Sequence, residues 1–276
     1  MSKKKIISKI SVVIPTIGEP ILNKTVDALL NSTLKPLEVI IVIPTKFLYR
    51  INLKKNNVIK IINSTIEGQV QQRIEGFKIA KGDFVLQLDA DIVIDKNCLS
   101  QLRTTLYKLK TPSVVMPTYN QYTSKRNISQ FFIKDYLSKF IYMGASSIKN
   151  QGIKFTWDVW YKSFEWPEKL SEMNYVNGAC LLHKRSHLII DNYYPYDGKA
   201  YGEDLLHSFM LTKNGVKLFC EPLALATNND GHYEFNTLTE FYKFIYRTFL
   251  YKKFLTKESG GSMFKFYLWF SLYSMN

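Results

Sequence analysis

Two aspartates at the end of a short apolar run place the strongest constraint on the fold of this chain. Residues 84–88 are almost wholly apolar, Gly82 stands just before them, and Asp89 and Asp91 follow directly. An apolar run of this length predicts a strand that is covered on both faces, as the strands of a parallel sheet are. The two carboxylates would then lie at the carboxyl end of that strand, where open α/β sheets bind their ligands.

The spacing of Asp89 and Asp91 has an electrostatic consequence. Two carboxylates this close repel each other unless a cation, a proton or hydrogen-bond donors compensate them. Acidic residues at strand ends also cap helices or pair with lysines, and we expect Asp95 to cap the helix that follows. For the pair itself, the prediction is a divalent metal ion that carries a phosphorylated ligand, because hard cations prefer oxygen ligands.

Strand and helix patterns alternate through the first hundred residues. β-branched and apolar runs predict strands, whereas apolar residues at three- and four-residue spacing predict helices. The predicted strands are residues 10–14, 37–43, 58–62 and 84–88, and the predicted helices are residues 20–34, 68–80 and 97–109. This alternation predicts an α/β fold with a mostly parallel sheet flanked by helices.

The pattern loosens after a short apolar run at residues 113–116. Residues 119–175 are rich in aromatic residues and lack periodicity, so they form either a substrate-specific insertion or a long connection. Order returns with predicted strands at residues 179–182 and 216–220. Between them, Glu203 and Asp204 follow Gly202 at the start of a predicted helix. Carboxylates there either complement the helix dipole or act as a general base.

Composition narrows the possible partners. The chain has 276 residues and a formal net charge of +14, which suits nucleic acid, an anionic membrane surface or phosphorylated small molecules. Because no zinc finger, RNA-binding sheet motif or arginine-rich helix is present, we expect no nucleic-acid partner. Three scattered cysteines predict a reducing, cytoplasmic compartment. We expect neither a signal peptide nor a membrane-spanning helix, since no apolar run is long enough.

The last forty residues form a basic and aromatic extension. Thr237 and Glu240 make a capping box that predicts a helix to about Leu255, and a second aromatic segment follows Gly260 and Gly261. From Thr237 onward, six basic residues face two acidic ones. Aromatic and basic residues together predict contact with a membrane interface, and packing of the helix on the domain is the alternative.

Several short motifs occur in an order that resembles family 2 glycosyltransferases of the GT-A fold, of the bacterial surface-polysaccharide type. The resemblance covers residues 8–110 and, less closely, residues 175–225. The motifs are Ser11-Val12-Val13-Ile14-Pro15-Thr16, Gly68, Gln72 to Gly76, Ala80-x-Gly82, Leu88-Asp89-Ala90-Asp91 and Gly202-Glu203-Asp204. The fold that this implies is a Rossmann-like, mostly parallel sheet flanked by helices, with a helical, aromatic C-terminal extension.

The resemblance also implies roles for individual residues. Asp91, with Asp89, matches the ligands of Mn²⁺ or Mg²⁺, and His232 is a candidate for a further ligand or else a surface-loop residue. Asp204 matches the catalytic base of an inverting transfer. The residues that match the donor and nucleotide site are Pro15, Thr16, Glu19, Arg73, Asp89 and Ala90. Those that match the lining of the sugar and acceptor site are Asn177, Gly178, Ala179 and Glu203.

Two departures from the family pattern bear on the substrate. The Asp-rich turn that reads uracil is replaced by Pro44-Thr45-Lys46, which weakens the expectation of a uracil base. The Gln-x-x-Arg-Trp motif of processive synthases is absent, which favours transfer of a single sugar. His183 and His187 have helical metal spacing but no third ligand nearby, so we expect them to be structural.

The resemblance implies a metal-dependent, inverting glycosyltransferase. It would move one sugar from a nucleotide diphosphate sugar to a glycan or polyprenyl-linked acceptor at the inner face of the cell membrane. We expect a catalytic domain at residues 1–236, with a nucleotide-sugar half at 1–110 and an acceptor half at 111–236, and the extension at 237–276. The alternatives are a metal-dependent nucleotidyltransferase, which would need a glycine- and lysine-rich triphosphate loop, and a non-catalytic scaffold.

Overall fold

The computed structural model describes residues 9–120, 166–173, 175–196, 198–229, 237–258 and 260–274. Its α-helices are α1 (Leu22–Asn31), α2 (Gln69–Ile79), α3 (Cys98–Lys108), α4 (Glu203–Lys213), α5 (Leu238–Glu258) and α6 (Met263–Ser274). Its strands are β1 (Ile10–Pro15), β2 (Glu38–Pro44), β3 (Ile59–Ser64), β4 (Phe84–Leu88), β5 (Ile92–Ile94), β6 (Ser113–Asn120), β7 (Ser171–Met173), β8 (Cys180–Lys184) and β9 (Lys217–Asn228). Two 3-10 helices, Thr45–Arg50 and Arg185–His187, follow β2 and β8.

The described strands form one sheet in the order β3-β2-β1-β4-β8-β6-β9-β5, with β7 paired to β9. The first four strands in this order are parallel, as the alternating pattern predicts. Every residue of β1, β2 and β4 is buried, because helices cover both faces of this half. β8 then runs antiparallel to both β4 and β6, so the second half of the sheet is mixed.

Close contact between α2 and the sheet depends on one glycine. A Cβ atom on Gly76 would lie 2.3 Å from Cγ1 of Val13, so any larger residue would push the helix away from β1. The side chain of Gln72, one turn earlier, donates hydrogen bonds to the carbonyl oxygens of Thr16, at 2.9 Å, and of Val42, at 2.8 Å. α2 is therefore fixed to the carboxyl ends of β1 and β2, and Arg73 is fixed with it.

Two strand predictions needed correction. The strand predicted for residues 216–220 continues to Asn228, and Pro222 lies where the register between β6 and β9 shifts. A proline is tolerated there because the irregular segment needs no ladder N–H. The sequence did not predict the short strand β5. This strand begins directly after Asp91 and pairs antiparallel with the last residues of β9.

The aromatic extension forms a helical hairpin of α5 and α6 joined through Gly260 and Gly261. The backbone N–H of Glu240 donates to Oγ1 of Thr237 at 3.2 Å, as in the predicted capping box. Leu255 is buried in one cluster with Val70 and Ile74 of α2 and with two leucines of α4. One side of α5 thus packs on the domain. Among the described helices, none combines the length and apolarity that crossing a membrane requires.

Candidate active site

Three backbone contacts hold the turn that carries the aspartate pair. The backbone N–H of Asp89 donates to the carbonyl oxygen of Ala179 at 2.8 Å, and Oγ1 of Thr25 donates to that of Ala90 at 2.7 Å. The backbone N–H of Asn229 donates to the carbonyl oxygen of Asp91 at 3.1 Å. The backbone of the Asp-Ala-Asp turn is therefore fixed by α1, the start of β8 and the end of β9, and its carboxylates project at the carboxyl edge of the sheet.

Arg73 joins this turn to the second acidic element. Its Nη1 donates to Oε1 of Glu203 at 2.7 Å, and its Nη2 donates to Oδ1 of Asp89 at 3.1 Å. The arginine side chain is 1% exposed and that of Glu203 is 4% exposed. We call these three residues the charged core. It connects the end of β4 to the first turn of α4 across 130 residues of sequence between Arg73 and Glu203.

The charges of this core depend on one another. Burial alone lowers the pKa of Arg73, but the carboxylates of Glu203 and Asp89 outweigh burial and raise it above its ordinary value. Burial raises the pKa of Asp89, and Glu203 adds to the rise, whereas Arg73 opposes it. The arginine therefore stays charged and partly offsets the cost of placing two acids side by side.

Asp204 lies beside the charged core on the first turn of α4. The phenol of Tyr175 donates to Oδ2 of Asp204 at 3.0 Å. Burial, followed by the neighbouring Glu203, raises the pKa of Asp204 well above its usual value. A carboxylate with a raised pKa is a stronger base than an ordinary aspartate once it is ionised, which is the property that proton abstraction requires.

Residues 177–179 form a wall against both acids of α4. A Cβ atom on Gly178 would lie 2.5 Å from Oδ1 of Asp204 and 2.9 Å from Oε1 of Glu203, so a side chain there would displace the carboxylates. The side-chain amide of Gln87 donates to the carbonyl oxygen of Gly178. Oδ1 of Asn177 accepts from the backbone N–H of Ala179 at 2.8 Å, which closes a tight turn.

The loop after β1 is held mainly by its own contacts. Oγ1 of Thr16 donates to Oε2 of Glu19 at 2.5 Å and accepts from the backbone N–H of Gly18 at 2.9 Å. Gly18 has φ of +83°, which glycine adopts without strain. This loop follows Pro15 at the same edge of the sheet as Asp89, because β1 and β4 are parallel neighbours.

Several residues near the acids were not among the predicted site residues. The phenol of Tyr193 donates to Oε2 of Glu203 at 3.0 Å, and the side chain of Gln69 lies close enough to Asp89 to oppose the rise of its pKa. The available signal for Gln87 was its polarity within an otherwise apolar strand. Tyr175 and Tyr193 gave no such signal, because tyrosine is common in this part of the chain.

The sequence profile described as "Glycosyl transferase family 2" matches residues 11–157, which is more than half of the chain. The chain belongs to glycosyltransferase family 2. A search among curated protein sequences found no match. The matched region includes the loop after β1, Arg73 and the aspartate pair.

Solved structures share the fold of this family 2 protein over more of the chain than the sequence profile matches. A crystal structure of GalNAc-T7 with UDP, GalNAc and Mn²⁺ is similar with a TM-score of 0.59 and 15% identity, covering 91% of this chain and 48% of that one. A crystal structure of S. aureus TarS 1-349 with UDP-GlcNAc is similar with a TM-score of 0.51 and 16% identity, covering 88% of this chain and 66% of that one. The family 2 chain thus spans only about half and two thirds of these neighbours. At this identity the similarity shows the fold alone, and it confirms the predicted GT-A architecture.

The structure describes two of the three predicted metal ligands of this family 2 protein. Asp89 is 22% exposed at its side chain and Asp91 is partly exposed, while His232 lies outside the described residues. Among the residues that the structure covers, no three histidine, cysteine or acidic side chains are grouped as a metal site. The roles predicted for the aspartates and for His232 therefore stay predictions.

A buried pair of histidines lies next to the charged core of this glycosyltransferase. His183 on β8 lies with its ring centroid 5.4 Å from that of His207 on α4, and Tyr193 stacks on His207 at 5.4 Å. Burial and nearby Arg73 lower the pKa of His207 to about 3, so the ring is neutral. His187 lies in the 3-10 helix after β8, so His183 and His187 do not share a helix face.

Proposed function

We propose that this glycosyltransferase moves one sugar from a nucleotide diphosphate sugar to a glycan or lipid-linked acceptor, with inversion at the anomeric carbon. The donor that we propose first is a UDP-sugar. The observation that carries the proposal is the convergence of two acidic elements at one sheet edge. Arg73 ties the Asp89–Asp91 turn, suited to a leaving diphosphate, to α4, where Asp204 offers a base of raised pKa.

The donor would bind along the carboxyl ends of β1 and β4. In this proposal Pro15, Thr16 and Glu19 contact the nucleotide, and Asp89 and Ala90 contact its ribose and phosphate side. One similar structure contains UDP and GalNAc and the other contains UDP-GlcNAc, which makes a UDP-linked hexose or N-acetylhexosamine the first donor to test.

A divalent cation fits the donor set at the end of β4. Asp89 and Asp91 offer hard carboxylate oxygens, and both keep some exposure to solvent. Mg²⁺ is commonly held by one or two carboxylates together with substrate phosphates, so a third protein ligand is not required. When bound, Mn²⁺ or Mg²⁺ would stabilise the negative charge of the departing diphosphate.

The acceptor hydroxyl would lose its proton to Asp204. As its oxygen bonds to the anomeric carbon, the bond from that carbon to the phosphate oxygen breaks and the nucleoside diphosphate leaves. Attack from the face opposite the leaving group inverts the configuration. The acceptor and the sugar would lie against Asn177, Gly178, Ala179 and Glu203, where Gly178 lies so close to Asp204 that a side chain would collide with the carboxylate.

The cellular setting completes the proposal. The lysine- and isoleucine-rich composition suggests an AT-rich bacterial genome, and surface polysaccharide synthesis at the cytoplasmic side of the cell membrane suits a lipid-linked acceptor. Residues 1–236 would form the catalytic domain, with the nucleotide-sugar half at 1–110 and the acceptor half at 111–236. Residues 237–276 would form the extension.

Incubation with a panel of nucleotide sugars and Mn²⁺ tests this proposal. We expect slow hydrolysis of one donor with release of nucleoside diphosphate, loss of that activity on chelation, and loss in Asp91→Asn. Asp191→Asn, an exposed aspartate, is the matched control. Release of pyrophosphate would indicate a nucleotidyltransferase instead, activity that survives chelation would remove the metal, and no turnover of any donor would favour a scaffold.

A further inference from the structure

The side of the helical hairpin that faces away from the domain carries exposed aromatic and basic residues. Tyr242 is 67% exposed, Tyr246 is 62% exposed and Phe264 is 78% exposed. We call this surface the outer hairpin face. Its members are Tyr242, Lys243, Tyr246, Lys253, Phe254 and Lys257 of α5 and Phe264, Lys265, Tyr267 and Leu268 of α6.

The charge on this face has one sign. With about 100° between successive residues of a helix, the α5 members from Tyr242 to Lys257 fall within one arc about 120° wide. This arc contains three lysines and no acidic residue. Glu240 and Glu258 lie beyond its edge, and Glu258 pairs with Lys213 of α4 at 3.0 Å.

Residues of α5 outside this arc attach the helix to the candidate site. The ring of Tyr251 packs so closely on Gly202 that a Cβ atom there would lie 2.3 Å from its Cζ. A guanidinium nitrogen of Arg247 donates to the carbonyl oxygen of Lys199 at 3.0 Å, and Leu255 is buried against α2 and α4. Gly202 directly precedes Glu203, so α5 supports the turn from which the acids of α4 begin.

We propose that the outer hairpin face binds the surface of a membrane that contains anionic phospholipid. Exposed tyrosines and phenylalanines at this spacing suit the boundary between head groups and acyl chains, where an aromatic ring is partly wet. Lysines beside them attract anionic head groups. One surface therefore offers both of the contacts that a peripheral membrane protein needs.

Charge decides between a membrane and a second copy of the chain. A two-fold dimer places the same patch on both partners, so it would bring the lysines of one copy against the lysines of the other. Like charges in such an interface cost free energy, whereas an anionic lipid surface neutralises them. The occupant that complements this face is therefore negatively charged and accepts aromatic rings.

This docking would set the direction of the active site. Because α5 contacts Gly202 on its inner side, a membrane on the outer side would lie about one helix diameter, some 10 Å, from the start of α4. An acceptor anchored in the same membrane would then reach Asp204 without leaving the lipid surface. This consequence rests on the proposed function, but membrane binding itself does not depend on any activity.

Flotation of the purified chain with vesicles tests the docking surface. We expect binding to vesicles of phosphatidylcholine with phosphatidylglycerol, little binding to phosphatidylcholine alone, and weaker binding in high salt. The combined substitution Lys243→Glu, Lys253→Glu and Lys257→Glu should weaken binding at least about tenfold, since each lysine contributes to attraction at an anionic surface. Tyr242→Ser with Tyr246→Ser should weaken it without changing the charge.

A matched charge reversal separates this face from the general basicity of the chain. Lys78, Lys108 and Lys110 are exposed at the edge of the sheet opposite to the candidate site. Changing all three to glutamate alters the net charge by the same amount as the triple substitution on the outer hairpin face. We expect this control to bind the vesicles as the parent does. Thermal unfolding of all variants verifies that they fold.

Three results would overturn the proposal. The first is equal binding to neutral and anionic vesicles, and the second is an equal loss of vesicle binding in the two triple lysine-to-glutamate variants. The third is a concentration-dependent dimer that dissociates in the variant with Tyr242→Ser and Tyr246→Ser. The last would identify the outer hairpin face as a contact between copies. Sugar transfer to a soluble acceptor should persist in the hairpin variants, so a failure of vesicle binding and a failure of the proposed function are distinguishable.

Discussion

The charged core and the outer hairpin face both combine charged residues with aromatic rings, but their surroundings are opposite. In the core, Arg73 is 1% exposed and bonds two carboxylates, while Tyr193 satisfies the remaining oxygen of Glu203. On the outer hairpin face, the lysines are exposed and the rings beside them reach 78% exposure at Phe264. Charge of both signs is buried in one region, and charge of one sign faces outward in the other.

This difference indicates two uses of the same residue types. Burying a charge costs several kcal/mol unless partners compensate it, so a buried triad persists only where its geometry is matched closely. The core therefore fixes the relative position of β4 and α4. Exposed charges contribute little to folding, so a lysine-rich face is explained better by an external anionic partner than by stability.

The largest expected effect concerns the acid beside the charged core. In Asp204→Asn the amide cannot accept the acceptor's proton, so we expect kcat for transfer to fall by roughly 10²- to 10⁴-fold. Donor affinity, measured by calorimetry, should stay within about threefold, because the aspartate is not assigned to the donor. Asp191→Asn serves as the control, and an equal loss of donor affinity would contradict the assignment.

The same residue predicts a pH dependence. Because the pKa of Asp204 is raised by burial and by Glu203, the base becomes protonated at a higher pH than an ordinary aspartate would. Activity should therefore be full above this raised pKa and fall as the pH drops through it. A kcat profile that stays flat down to the normal range of aspartate, near pH 4, would contradict this.

The next effect breaks the charged core itself. Arg73→Met removes the cation that pairs with buried Glu203 and with partly buried Asp89. Because both acids then lack their partner, we expect the free energy of unfolding to fall by about 3–5 kcal/mol. Urea unfolding measures this loss, and exposed Arg185→Met is the control. Adding Glu203→Gln to Arg73→Met should recover part of the stability, because one unpaired charge is removed.

The outcome for Arg73 also bears on its predicted contact with the nucleotide. Both terminal nitrogen groups of the side chain already bond carboxylates, so we expect the charged core to act on the donor mainly through Asp89. A loss of donor affinity without a loss of stability in Arg73→Met would contradict this and would return the arginine to direct phosphate binding.

A smaller effect comes from the neutral histidine behind the core. The pKa of His207 is lowered to about 3, mainly by burial and then by Arg73, whereas in the unfolded chain it is near 6.5. The unfolded state thus binds an extra proton between these values, so stability is full above about pH 6.5 and decreases as the pH falls toward 3. The contribution changes by about 1.4 kcal/mol per pH unit at most.

His207→Phe removes this term while keeping an aromatic ring against Tyr193 and His183. We expect a plot of unfolding free energy against pH, measured from pH 7 to pH 4.5 in urea, to be less steep for the variant. His187→Phe, at a half-buried position, should change the slope less. Equal slopes for His207→Phe and the parent would show that the ring is not buried in its neutral form.

Much of the fold was predictable because it is encoded locally. Continuous apolar runs and helical spacing predicted β1, β2, β4 and α2 to within a residue or two. The end of β9 was not predictable, because Pro222 reads as a strand end and only the bulge against β6 shows how the strand resumes. The short β5 depends wholly on this long-range pairing.

The candidate site divides in the same way. Asp89, Asp91 and Asp204 could be singled out from local motifs, since each acid follows a strand or begins a helix. The bond between Arg73 and Glu203 could not, because the two residues meet only after the sheet has assembled. Partners such as Tyr175 and Tyr193 have no local signature, since a phenol becomes a donor to an acid only when the fold brings them together.

The smallest expected effect completes the comparison between the two charged regions. Lys253→Ser removes one charge from the outer hairpin face, and we expect the free energy of unfolding to change by no more than about 0.5 kcal/mol, as for most surface substitutions. Its binding to phosphatidylglycerol vesicles should weaken about fivefold, which corresponds to about 1 kcal/mol for one lysine near an anionic surface. Lys108→Ser should change neither quantity. If Lys253→Ser destabilised the fold as Arg73→Met is expected to, the hairpin lysines would be structural and the contrast with the charged core would not hold.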